Sequence, residues 1–178
     1  TWPDSTTNQL SMLGLKGSRY LSDRLILGGN AYCRQYRSGN VSSNVNAFDA
    51  ADPTAPQATN ARSAIEQDSY GLGLQLTWLG ELAGRENQFT LGASADFGRA
   101  RFTQDEQAAA LTAERSAVGI GDFERETDAL TRNAYYGLFF TDTLSLAPQW
   151  TLTASGRYNQ ARVRIEDQSG QAPELNGD

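Results

Sequence analysis

Apolar and polar residues alternate through two runs of nine residues, 70–78 and 89–97. In the first run the even positions carry Tyr, Leu, Leu, Leu and Trp, and the odd positions carry Gly, Gly, Gln and Thr. In the second run the odd positions carry Phe, Leu, Ala, Ala and Phe, and the even positions carry Thr, Gly, Ser and Asp. Because successive side chains of a strand point to opposite faces, each run predicts a strand with one apolar face, and together they predict a hairpin.

Aromatic residues stand at both ends of each apolar row. Tyr70 and Trp78 are eight residues apart, as are Phe89 and Phe97. At about 3.3 Å per residue each row is about 26 Å long. A tilt of about 40° leaves about 20 Å along a membrane normal, near the apolar band of about 25 Å in membrane barrels. Strands of soluble domains usually have about 5–6 residues, so the spacing favours strands that cross a bilayer.

The same pattern predicts an all-β antiparallel meander of six strands. The strands are expected at residues 9–17, 24–37, 67–79, 88–103, 130–146 and 150–166. Residues 38–66, which include Pro53 and Pro56, and residues 104–128 have no sustained period and predict long loops, the second with a turn or two of helix at 107–114. Long loops that alternate with short turns are typical of outer-membrane barrels.

The two lipid interfaces follow from the aromatic positions. Trp78, Phe89 and Trp150 lie beside short turns, whereas Tyr70, Phe97, Tyr136 and Tyr158 lie beside long loops. These two groups predict an inner and an outer aromatic girdle. Cys33 falls on the same apolar face, where we expect it to be an apolar filler rather than a reactive thiol.

Six strands predict only part of a barrel. Every backbone polar group must be paired in hydrocarbon, and single-chain barrels start at about eight strands. Residues 1–178 are therefore expected to form one partial β-barrel domain. The chain opens with Thr1-Trp2-Pro3-Asp4, which is no secretion leader, so we expect a processed protein or an internal piece of a longer one.

Composition narrows the functional classes. With 178 residues, 39% hydrophobic and 20% charged, the chain could be an ordinary soluble domain by composition alone. It has no run of 18 apolar residues for a membrane-spanning helix, and its net charge of −6 argues against a nucleic-acid partner. Histidine is absent, which excludes Ser-His-Asp and Cys-His catalysis. We expect neither an enzyme nor a cofactor.

Polar residues on the face away from lipid are the candidates for contact with a solute or a plug. They are Asn30, Arg34, Gln75, Asp96, Asn133, Tyr135, Arg157 and Asn159. The alternative is that they merely line a wet wall. An acidic run of Asp122, Glu124, Glu126 and Asp128 lacks the fixed spacing of a calcium loop and predicts a solvated loop instead.

Two hairpins carry a family resemblance. Residues 72–78 (LGLQLTW) with 82–94 (LAGRENQFTLGAS), and residues 136–146 with 152–159, resemble mid-barrel hairpins of TonB-dependent outer-membrane receptors. The resemblance implies a barrel of about 22 strands with a plugged lumen in the outer membrane of a Gram-negative bacterium. It also implies extracellular loops that capture a scarce nutrient, often an iron chelate such as a ferric siderophore, and a TonB complex that acts on the plug.

Two other functions stay open at the level of sequence. One is a passive porin-like or translocator barrel, and the other is a soluble β-sandwich binding module. A plug-like globular segment before the first strand would favour the receptor over the passive barrel. The transported ligand, whether siderophore, cobalamin, sugar or another solute, is not identified by these residues.

Overall fold

The chain folds as one antiparallel sheet with six long strands and one short strand. The computed structural model describes residues 4–47, 51–52 and 55–177. The strands are β1 Ser5–Ser22, β2 Leu25–Val45, β3 Ala58–Leu82, β4 Arg85–Leu111, β5 Ala117–Gly119, β6 Glu124–Ala147 and β7 Trp150–Asp167, and one 3-10 turn covers Pro173–Leu175. No helix in these ranges has the length and apolar character needed to span a membrane.

Each long strand pairs with its neighbour in sequence. The order is β1-β2-β3-β4-β6-β7, and β5 extends the ladder on β4 beyond the start of β6. The predicted all-β antiparallel meander is confirmed. The sheet does not close, because β1 and β7 lie at its two edges and do not pair with each other.

The strands are longer than the sequence pattern predicts. β2 continues to Val45 and β3 starts at Ala58, so the loop predicted at 38–66 is wrong for most of its length. In that segment, residues 48–50 and 53–54, with Pro53, lie outside the described residues, as does the chain start at 1–3. β1 likewise runs four residues earlier and five residues later than the predicted 9–17. Pairing along the ladder, rather than an apolar face, holds these extensions in strand conformation.

The second long loop is also wrong over much of its predicted length. β4 continues to Leu111 and β6 begins at Glu124, so residues 107–111 are strand and the helical turn predicted there is absent. The acidic run is not simply a solvated loop, because Asp128 lies in β6 and is buried. Both faces of these extensions carry polar residues, so they lack the alternation that identifies a half-buried strand.

One face of the sheet is an exposed apolar belt. Leu74 and Leu138, in the middle of β3 and β6, are 50% and 57% exposed. The Tyr70 and Phe97 rings stack with their centroids 5.2 Å apart, and Tyr136 meets Phe97 edge-on at 5.7 Å. Exposed apolar surface of this extent is typical of an interaction surface rather than of a free soluble face. Cys33 is exposed on this face, paired in register with Tyr70.

The strand register gives the tilt of the belt. Tyr70 shares a cross-strand row with Arg162, which lies four residues beyond Tyr158 on β7. The row of Trp78 likewise meets β7 at a position four residues beyond Trp150. Both girdles therefore shift by about 13 Å along the strands across three strand spacings of about 14 Å in total. The resulting tilt is about 43°, within the range of about 35–45° for outer-membrane barrels.

Beyond the outer girdle the strands project out of the belt. β3 continues for twelve residues past Tyr70 to Ala58, which is about 40 Å along the strand and about 30 Å along the normal at a tilt of about 40°. The connections at this end are 46–57 and the segment between β4 and β6, whereas the opposite end has only tight turns. This end thus matches the loop side of an outer-membrane barrel.

An ion network joins the projecting strands. Asp105 Oδ2 accepts a hydrogen bond from Arg62 Nε at 2.7 Å, and Asp105 Oδ1 accepts one from Arg125 Nε. Asp128 accepts bonds from Arg101 Nε and Nη2 at 2.8 and 2.6 Å, and Arg125 Nη1 lies 3.3 Å from it. The hydrogen bonds from Arg62 and Arg101 are the main causes that lower the pKa of Asp105 and of Asp128, respectively. The network connects β3, β4 and β6 beyond the outer girdle, where the strands have no apolar belt.

Leu74→Arg in the intact protein should destabilise the folded state by roughly 2–4 kcal/mol, because a charge is placed midway between Tyr70 and Trp78 on the belt face. Gln75→Arg, one position away on the opposite face, is the matched control and should be much milder. The measurement is a denaturant titration of folding in lipid vesicles. Equal tolerance of both changes would contradict a membrane-facing belt.

Asp128→Asn should loosen the projecting part of β4 and β6 by about 1 kcal/mol, the scale of a partly exposed ion pair. Hydrogen exchange of residues 99–106 and 124–132 measures it. Because the pKa of Asp128 is lowered in the folded state, its contribution is present at neutral pH and is lost as the pH falls below about 4. Asp122→Asn, in an exposed position of the same acidic run, should change neither exchange nor its pH dependence.

Candidate functional site: the polar concave face

The eight predicted polar residues all lie on the face opposite the aromatic belt. They occupy four successive rows that run across the strands. Each row contains two of them: Arg34 and Asn133, Asp96 and Tyr135, Asn30 and Asn159, and Gln75 and Arg157. The structure therefore brings residues from β2, β3, β4, β6 and β7 into one patch.

Tyr32 and Asp96 meet above a glycine in the upper part of this patch. The Tyr32 hydroxyl donates a hydrogen bond of 2.9 Å to Asp96 Oδ1. Gly71 lies in the same row between them, and a Cβ there would come within 2.4 Å of both Asp96 Oδ1 and Tyr32 Cε1. The contact across β3 thus depends on the absence of a side chain at position 71.

A similar layer of side chains covers Gly137. A Cβ at this position would lie 2.8 Å from Ser94 Oγ, 3.1 Å from Asn159 Oδ1 and 3.2 Å from Arg157 Nη2. Arg157 Nε also donates a 2.7 Å hydrogen bond to Asn159 Oδ1. The side chains therefore lie flat along the wall, which leaves the space in front of it open and lined by polar atoms.

One continuous depression of about 720 Å³ crosses all six long strands on this face. Its polar-face lining runs from Lys16 in β1 to Arg157 in β7, by way of Asn30, Gln75 and Phe139. Since both edge strands contribute to the same hollow, the polar face is the concave side of the sheet. Two cations and no carboxylate line it, so it favours ligand groups that are oxygen-rich or anionic.

The lining residues that were not predicted from sequence include Lys16, Ser94 and Phe139. Lys16 and Ser94 are polar and fall on the right side of their strands, and the alternation that assigned Asp96 would also have assigned Ser94. Lys16 was missed because the faces of β1 are not resolved by its sequence. Phe139 is unexpected on a polar face, where its ring lies over Gly92, with Cζ 2.1 Å from where a Cβ would be.

Asn133 carries an unsatisfied acceptor. Its Oδ1 is buried and has no hydrogen-bond partner among the described residues. Buried side-chain acceptors are normally paired, so Asn133 is an exception on this face. In the ranges that the structure describes, no cluster of His, Cys, Asp and Glu is suited to hold a metal ion.

Gly71→Ala should break the Tyr32–Asp96 hydrogen bond, because the new methyl group occupies the space where the two side chains meet. The expected loss is about 1 kcal/mol for the bond, with a further steric cost, measured as a lower urea midpoint of the intact protein in vesicles. Gly98→Ala, on the polar face of β4, is the matched control, since the atom nearest to its new Cβ would be 3.5 Å away. A midpoint shift as large at Gly98 would refute this assignment.

Comparison with known proteins agrees with this architecture. A family profile described as TonB dependent receptor-like, beta-barrel, matches residues 1–177, which is nearly the whole chain. A search of curated proteins found no match. The meander, the exposed apolar belt and the concave polar face are the features that such a wall requires. The chain therefore belongs to the TonB-dependent receptor β-barrel family, whose members are transport receptors of the bacterial outer membrane.

Proposed function

We propose that this chain is a wall segment of a receptor that takes up a scarce nutrient, with a ferric siderophore as the leading ligand class, by energised transport through the TonB complex. The observation that carries the proposal is the family match over residues 1–177. In this arrangement the aromatic belt contacts lipid, and the concave polar face lines the lumen. The long connections at the projecting end stand outside the cell.

The open sheet supports a barrel larger than these strands. The outer edges of β1 and β7 present long rows of backbone groups. Among the described residues, the edge of β7 is paired at the bridge between Ile165 and Gly177 and at the Asp167 N–H, which donates a hydrogen bond to Asn176 Oδ1. In hydrocarbon such edges must be paired. We infer that further strands close the barrel and that a plug domain, as in the rest of the family, fills its lumen.

The polar face has the chemistry for contact with either the plug or the passing ligand. Lys16 and Arg157 supply positive charge at the two sides of the depression, and Asn30 and Gln75 supply amide groups between them. A ferric siderophore presents oxygen atoms and negative charge, to which guanidinium and ammonium groups bind well. Plug side chains with amide and carboxylate groups would satisfy the same atoms.

Energised uptake is tested with the complete receptor in whole cells. The probes are radioactive iron bound to a hydroxamate and, separately, to a catecholate siderophore, with the TonB complex present or deleted. Uptake of at least one probe should require the TonB complex. Uptake that is equal in both strains would indicate a passive barrel, and no uptake of either probe would exclude these two siderophore classes as the ligand.

The lumen assignment is tested by two substitutions on opposite faces of β7. Arg157→Gln and Gln160→Glu each lower the net charge by one, but Arg157 lines the depression and Gln160 lies on the apolar-belt face, in the row of Tyr136. Arg157→Gln should reduce uptake several-fold, whereas Gln160→Glu should leave it unchanged. The same loss in both variants would argue against the polar face as the transport path.

A further inference from the structure

A second groove lies on the lipid side of the wall, above the outer girdle. Its volume is about 970 Å³. The side chains that line it from the belt face include Arg99, Arg132, Arg162 and Arg164, and Tyr70 and Phe97 form its lower part. Cross-strand register places the four arginines on the same face as the aromatic belt, so they point towards lipid rather than into the lumen.

The height of these arginines matches the headgroup region. Arg99 lies two residues above Phe97, and Arg162 lies four residues above Tyr158. At about 3.3 Å per residue and a tilt of about 40°, they stand about 5 and 10 Å above the outer girdle. A bilayer adds roughly 5–8 Å of polar headgroup on each side of its hydrocarbon core. The guanidinium groups are therefore at, or just beyond, the level of the headgroups.

Positive charge is in excess at this level. Higher on the same face, Arg62, Arg101 and Arg125 all form ion pairs with Asp105 or Asp128. In the groove, Arg132 contacts Glu166 and Arg164 Nε lies 3.4 Å from it. Asp68 accepts a hydrogen bond from Gln35, which leaves four arginines against two carboxylates. The surplus is notable in a chain whose net charge is −6.

Two of the arginines are available to a ligand. Arg99 and Arg162 are exposed and, among the described residues, neither has a carboxylate within ion-pair distance. A guanidinium group binds a phosphate through two parallel hydrogen bonds. The rings of Tyr70 and Phe97 directly below offer an apolar surface to the acyl chains of the same molecule.

We propose that this groove binds the phosphate groups of a phosphorylated lipid headgroup in the outer leaflet. Arg99 and Arg162 contact the phosphate oxygens, Arg132 and Arg164 add positive charge, and the aromatic floor contacts the acyl chains. The proposal goes beyond transport, because it rests on the outer-membrane position of the belt and not on the identity of the nutrient.

The proposal is tested by lipid binding to the complete receptor in nanodiscs of zwitterionic phospholipid. The probe is purified bisphosphorylated lipid A, compared with the same glycolipid after removal of its phosphates, and binding is measured by native mass spectrometry. The double variant Arg99→Gln, Arg162→Gln should bind the bisphosphorylated probe at least tenfold more weakly. The dephosphorylated probe should bind both proteins weakly and equally.

The matched control removes two arginines at the other end of the wall. Arg24→Gln, Arg85→Gln makes the same change in charge beside the short turns and should leave binding unchanged. Both groove positions are exposed, so their variants should fold normally, and Arg162→Gln alone provides a second test. Equal binding by wild type and double variant, or equal loss in the control, would overturn the proposal. Complete competition by inorganic phosphate at low concentration would assign the site to a free anion instead of a lipid.

Discussion

Backbone hydrogen bonding is the constraint on which the rest of this structure depends. A strand that crosses hydrocarbon has no water to satisfy its N–H and C=O groups, so each long strand is paired along almost its whole length with the next strand in sequence. Once the backbone is satisfied in this way, the side chains are free to adapt to two different environments. The apolar belt and the concave polar face are the two sides of that single ladder.

The two faces are coupled through strand register. A shift of one residue would exchange them completely, so the pairing of Tyr70 with Phe97 also fixes the pairing of Gly71 with Asp96 on the other side. Glycines on the polar face then allow side chains from the two flanking strands to meet above the strand between them, as Tyr32 and Asp96 do above Gly71. The same register that places aromatic rings at the lipid boundary therefore also assembles the polar patch.

The parts of the strands that form the belt could be predicted from sequence, because one of their two faces must be apolar. That requirement imposes a period of two on residues 70–78 and 89–97, and it identified the hairpin and the two faces of its strands. Outside the belt both faces of the strands are polar, so the segments from Ser38 to Val45 and from Gln104 to Leu111 carry no such period. Their strand conformation depends on distant partners and on ion pairs such as Arg62–Asp105, which local sequence does not reveal. Phe139 was missed for a related reason, since only the glycine opposite it explains an aromatic ring on the polar face.

The projecting strands determine what an approaching molecule meets first. Because β3 and β4 remain paired to Ala58 and Ala109, the outer part of the wall is a stiff collar and not a set of mobile loops. The paired strands reach about 30 Å beyond the outer girdle along the membrane normal, well past the polar headgroups of a bilayer. Ligands, antibodies and other large particles in the medium therefore reach this rim before they reach any other described part of the chain.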